Sequence, residues 1–282
     1  MISKLKINFI QREKGKDFFF NNSKRIMVFI LTTSILIGCA SSKIVVNPSI
    51  QTTLKSIGTS PDSAGTLIYE GAVFPIVGSN LKQIFSYERR VKEEKEILSA
   101  THITRDMEKN TIVTQTARYN AKKELREFEY INGQVGYIAK AEIVGKLIRF
   151  KLTDNSGQVT SSEEEVNEPL AVGPTLFGLI AEHWEDMSKG NSFFLRFVVA
   201  EQKQSYRFEV RKLLDNNGIT RFEMKATNWL IGLFIAPFQF DYDSSKRTII
   251  TYQGRVPPML LVDGKLKELD ARVSYTHWAV YR

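Results

Sequence analysis

The sequence is poor in the residues that most site chemistry needs. One cysteine stands among 282 residues, so no disulfide can form within the chain. The three histidines, His102, His183 and His277, fall in no HExxH or cysteine-rich spacing, so no metal site and no cofactor is expected. There is no Gly-x-Ser-x-Gly elbow and no phosphate-cradling glycine loop. No uncharged apolar run reaches the ~20 residues of a membrane-crossing helix. What is present is enough apolar material for a core: 43% hydrophobic residues with 25% charged, which excludes a disordered chain.

The formal charge is +8, but it is unevenly placed. Residues 1–38 hold seven basic side chains and two acidic ones. Subtracting them from 39 and 31 leaves 32 basic and 29 acidic in the remainder, with the signs interleaved. A nucleic-acid binder needs a concentrated basic face, so no nucleic-acid partner is expected.

Lys24-Arg25 precedes a twelve-residue apolar run, Ile26 to Ile37, within the ~7–15 residues of a secretory h-region. Leu36-Ile37-Gly38-Cys39 follows, and here the chain resembles a bacterial lipoprotein precursor. The resemblance implies that the Cys39 thiol takes a diacylglycerol, that cleavage follows Gly38, and that the new amino group is acylated, palmitate being a typical chain. Ala40 and Ser41 include no aspartate, which resembles the outer-membrane sorting class. The expected location is therefore the bacterial cell envelope, with the outer membrane as the expected membrane. Residues 1–23 make the leader longer than the usual ~15–30 residues, so either the true start lies further in or the n-region is long. The expected organisation is a signal peptide over 1–38, a lipidated cysteine and tether over 39–80, and one β domain over 81–282. The tether reading rests on Ser, Thr, Pro48, Pro61, Gly58 and Gly65 in residues 40–65.

Beyond residue 81 apolar and polar residues alternate, the period of half-buried strands. The pattern is clear at Tyr206–Arg211, Arg221–Ala226, Phe238–Asp243 and Ile148–Leu152, and weaker over 83–91, 111–119, 125–131 and 271–281. Asn132-Gly133, Asn217-Gly218 and Asp263-Gly264 suit tight hairpins. The expected fold class is all-β and mainly antiparallel, a curved sandwich or incompletely closed barrel with one main amphipathic helix. That helix is expected over about 174–189: Pro174 suits its first turn, Leu176, Phe177, Ile180, Trp184 and Met187 share a face, and Lys189-Gly190 suits its end. Tyr252 to Pro258 is expected to close a strand, with Arg255 paired to a strand carboxylate. The segments Gly173–Gly190 and Thr248–Pro258 are similar to parts of uncharacterised β-rich envelope proteins of unknown function.

Three functions are carried. The first is a non-catalytic lipid-anchored envelope protein that binds an apolar or amphipathic ligand. Its cavity would be lined by Phe208, Phe222, Phe240 and Trp184. The second is a scaffold offering sheet edges and apolar loops to other envelope proteins. The third is a hydrolase using carboxylates or His183. Trp229 to Phe238 carries no charge. The plain reading is a buried helix or strand capped by Asn228; the sharper one is an exposed membrane-contact loop or lid at Trp229, Leu230, Leu233 and Phe234.

Overall fold

The computed structural model describes residues 65–76, 82–120, 124–277 and 279; Cys39, the leader and residues 40–64 lie outside them. In chain order the strands are β1 (Thr66–Pro75), β2 (Phe85–Glu94), β3 (Ile97–Arg105), β4 (Thr111–Tyr119), β5 (Leu125–Asn132), β6 (Tyr137–Val144), β7 (Leu147–Thr153) and β8 (Val159–Glu165). A two-residue β9 (Leu170–Ala171) leads into helices α1 (Gly173–Glu182) and α2 (Trp184–Ser188). Then come β10 (Phe193–Val199), β11 (Gln204–Asn216), β12 (Ile219–Ala226), the short helix α3 (Trp229–Gly232), β13 (Phe238–Asp243), β14 (Ile249–Val262) and β15 (Lys265–His277).

All fifteen strands join one sheet in the order β8-β7-β6-β5-β4-β3-β2-β1-β15-β14-β13-β12-β11-β10-β9. Every pairing is antiparallel except the short β9–β10 contact. The fold is thus an incompletely closed barrel-like sheet, as the alternation implied. The first and last strands meet at its middle: β1 pairs β15 from Tyr69–His277 to Pro75–Ala271. Residues 66–75, inside the expected 39–80 tether, therefore form a strand of this sheet. Val73 inside β1 is buried between neighbours on two strands, an interior anchor that a solvated linker would lack.

The sheet lacks a ladder between β8 and the β10–β11 hairpin, and side chains bridge that seam instead. The Glu164 carboxylate on β8 accepts from the Ser205 backbone N–H at 2.7 Å and from its hydroxyl at 2.9 Å, and pairs with Arg196. Beside it Ser162 donates to the Lys203 carbonyl at 2.7 Å, and the Lys203 ammonium to Thr160 at 2.9 Å. Charged and hydroxyl groups thus occupy an edge that would otherwise invite strand addition.

The helix sits inside the sheet. Val172 N–H donates to Thr175 Oγ1, and Pro174 occupies the first turn, where a missing N–H costs nothing. Leu176, Ile180, Trp184 and Met187 bury against Leu195, Phe208, Phe222 and Phe240. The expected single helix is divided: His183 leaves helical geometry at φ −91°, ψ 13°, and its ring stacks on Phe193 at 3.7 Å. That stack on the first residue of β10 gives the kink its partner. The α2 end is as expected, with Lys189 as cap and Gly190 at φ +90°.

Asn217-Gly218 and Asp263-Gly264 both have two consecutive positive φ values, the requirement of tight hairpin turns. Pro257-Pro258 does not close β14. The strand runs on to Val262 through a register shift between Val256 and Leu260, where the ladder does without the two proline donors. This bend carries the β14–β15 hairpin to the β5–β6 turn. Gln134 exchanges two hydrogen bonds with the Met259 backbone, at 2.9 and 2.8 Å, and Tyr130 donates to the Pro257 carbonyl at 3.3 Å.

Candidate functional site

Antiparallel order divides the loops between two ends of the sheet. The chain enters β1 at one end; the β1–β2, β3–β4, β5–β6, β12–β13 and β14–β15 connections all lie at the other, here the distal end. The β12–β13 connection contains α3. Asn228 caps it by accepting the Leu230 N–H at 2.9 Å, as expected. Burial, the plain reading, holds at the end of the segment, where Phe238 is buried in β13, but not on the helical turn: Trp229 is 71% exposed, Leu230 50%, Leu233 67% and Phe234 80%. Four helical residues are too few to lay a stripe on the sheet, so the turn projects its apolar side chains outward. Among the described residues, Met107 in the β3–β4 turn and Leu261 in the β14–β15 arm are the other large apolar side chains above 55%, and both lie at the same distal end.

Trp184, Phe208, Phe222 and Phe240 are brought together, and they are packed. The Trp184 ring meets Phe222 edge-on at 4.9 Å, and Phe177 of α1 meets Phe240 at 5.9 Å. Phe222 and Phe240 have no exposed surface. The helix fills the space these rings enclose. His183 is half-buried, stacked on Phe193 rather than held by a carboxylate. Among the described residues no three His, Cys, Asp or Glu side chains gather as a metal site would require, and no helix is long and apolar enough to cross a membrane. Arg255 meets its expected carboxylate, Asp270, at 2.8 Å and also pairs with Glu268.

Sequence reasoning missed the polar heart of the interior. His102 on β3 is buried, with the Tyr87 hydroxyl hydrogen-bonded to its Nδ1 and the Tyr69 hydroxyl 3.4 Å from its Nε2. Burial, then the nearby Arg89 guanidinium, hold its pKa well below the usual imidazole value, so it is neutral at physiological pH. Burial likewise raises the Tyr87 phenol well above its usual value, followed by its phenol neighbours Tyr69 and Tyr275. Arg89 donates to the Pro174 carbonyl at 3.3 Å and sits 5.8 Å from the Tyr69 ring centre. It ties the helix start to β2. The only legible signal was the alternation through Thr101–Arg105, which marks His102 as facing opposite to Thr101 but not which face is interior.

A second missed feature is a depression of about 580 Å³ on the outer face of β15, β1, β2 and β3. Phe74, Ser86, Glu88, Arg105, Lys109 and Arg272 are among its walls. Registers Phe74–Arg272, Ala72–Ser274, Ala72–Ser86 and Ser86–Arg105 place its floor residues side by side. The small Ala72 side chain at the centre of that grid leaves the trough.

No protein-family model matches the chain, and no curated protein matches it. Among solved structures it is similar to a β-barrel-like protein of the domain of unknown function DUF1849 from Brucella abortus, at 9% identity and a TM-score of 0.42, covering 78% of this chain and 100% of that one. A porin-like protein from Bacteroides uniformis aligns at 10% identity and a TM-score of 0.22, over 75% of this chain and 96% of that one.

Proposed function

We propose that this is a non-catalytic, lipid-anchored protein of the bacterial envelope whose distal end rests on a membrane surface. One observation carries the reading: every large apolar side chain more than 55% exposed among the described residues (Met107, Trp229, Leu233, Phe234 and Leu261) lies at that one end of the sheet. An exposed Trp, Leu and Phe cluster on a tight turn suits the interface of a bilayer, where such rings and chains find apolar surroundings. Fully burying a large apolar side chain is worth about 1.5–3 kcal/mol, so the four on the α3 turn, half or more exposed, offer about 4–8 kcal/mol before ordering costs. An acylated Cys39 would add the second attachment that stable anchoring needs.

The geometry permits both attachments at once. Twenty-five residues separate Cys39 from Gly65 and span at most about 80–90 Å. The ten-residue β1 is only about 33 Å long. An anchor whose chain enters at the opposite end therefore still reaches a bilayer under the distal end.

Brominated-lipid quenching of the natively lipidated protein in vesicles tests this. Trp229 fluorescence, isolated by subtracting a Trp229→Phe variant, is expected to be quenched by shallowly brominated chains. Unquenched Trp229, with the protein still on the vesicles, would refute the distal-end contact. Mass spectrometry of the membrane-extracted protein checks the anchor separately, and an unmodified Cys39 would remove it.

A further inference from the structure

The depression on β15, β1, β2 and β3 combines a cavity, hydroxyl groups and cations that the sheet does not use. Elsewhere on the outer face three arginines are matched by carboxylates on the next strand. Arg211 faces Glu223 at 2.8 Å, Arg221 faces Asp241 at 2.6 Å and Arg255 faces Asp270 at 2.8 Å. The register denies this to Arg272. Its cross-strand neighbours are Phe74 on one side and Gln253 on the other, and its guanidinium lies 5.8 Å from the Phe74 ring centre. Lys109, in the β3–β4 turn at φ +69°, has no carboxylate within ion-pair distance among the described residues. Glu88, which faces Glu70 across the β1–β2 ladder, is already shared by Arg90 at 3.0 Å and Arg105 at 2.8 Å. Glu70 lines the opposite end, four residues from Phe74 and about 13 Å along the strand. Two uncommitted cations and the hydroxyls of Ser86 and Ser274 thus converge on the distal half of the trough.

We propose that this trough holds the phosphodiester headgroup of an anionic lipid. The inference rests on the membrane-surface reading and deepens it. Phe74 is the penultimate residue of β1, and Lys109 sits in a distal turn, so both cations lie at the end that carries the exposed apolar side chains. With that end against a bilayer they stand at headgroup level. A phosphate takes charge-assisted hydrogen bonds from a guanidinium and a point-charge contact from an ammonium, and a glycerol headgroup supplies hydroxyls for the two serines.

Native mass spectrometry of the full lipidated protein tests this. The protein is purified in mild detergent with equal amounts of phosphatidylglycerol and phosphatidylcholine, and the lipid retained is counted. Each cation near an anionic headgroup favours it about fivefold, so phosphatidylglycerol is expected to exceed phosphatidylcholine roughly 30-fold. Arg272→Gln alone should cut the ratio about fivefold, and adding Lys109→Gln should bring it near one. Both side chains are exposed, and an unchanged melting temperature verifies that the variants fold. A wild-type ratio of one, or a double variant that keeps its preference, overturns the proposal. So does saturation by soluble glycerol 3-phosphate in calorimetry with no phosphatidylglycerol retained, which would make the ligand a free anion. Because the readout is in detergent, failure here leaves the Trp229 quenching result standing, and the converse also holds.

Discussion

Replacing Trp184 by alanine probes whether the helix is a structural plug of the sheet. The ring packs on Phe222 at 4.9 Å and Tyr242 at 5.7 Å, and the Arg247 guanidinium covers it at 5.5 Å. A Trp side chain of 150–250 Å² at about 25 cal/mol per Å² gives ~4–6 kcal/mol of burial. Measured large-to-small aromatic truncations cluster at about 3–5 kcal/mol, because the alanine methyl stays buried and the site partly collapses. We expect ~3–5 kcal/mol lost in urea unfolding. That corresponds to a melting temperature lower by about 6–20 °C for a domain of this size. Trp184→Phe should lose less than half as much. The vacated space is walled by Phe222, Tyr242 and neighbouring apolar groups, so millimolar indole should restore part of the stability in the alanine variant and none in the wild type. A loss under about 1 kcal/mol, with no indole effect, would refute the reasoning. It would mean that the helix rests on the sheet rather than filling it.

Glu201, in the 3-10 turn Ala200–Gln202 against β5, β6 and β7, has its carboxyl pushed up to about 7 by burial, with Glu268 adding to it. A raised carboxyl pKa favours the protonated fold, so stability is greatest below about 4.5 and declines as pH rises to about 7. Partial solvent access limits the loss to about 1–2 kcal/mol, and Glu201→Gln should flatten that part of the pH–stability curve. At Gly173 an added Cβ would lie 2.6 Å from Gln115 Oε1. Gly173→Ala should therefore lower the melting temperature, and Gln115→Ala in the same chain should recover most of the loss. Glu164→Ala removes the acceptor for the Ser205 N–H and hydroxyl and the partner of Arg196. A loss of about 1–3 kcal/mol is expected, with amide exchange accelerated at β8 and Ser205 and unchanged at β1 and β15.

What the sequence determined by itself was local and periodic. Alternation at Phe208, Phe222, Phe240 and Phe150 set strand faces, because a period of two admits only one side to the core. Asn217-Gly218 and Asp263-Gly264 set hairpins through their positive φ, and Pro174, Asn228 and Gly190 marked helix ends. Trp229 to Phe234 could be recognised as uncharged but not as exposed, since hydrophobicity says nothing of which surface receives it. Tertiary structure decided the rest. Whether Phe208, Phe222, Phe240 and Trp184 line a chamber or fill it depended on where the helix lay, and it lies among them. Likewise, the β14–β15 hairpin sets Gln253 beside Arg272, but only the β1–β15 register puts Phe74 rather than a carboxylate on its other side, and that pairing joins residues some 200 positions apart. Such long-range juxtapositions follow from the global sheet order, which no short window of residues encodes.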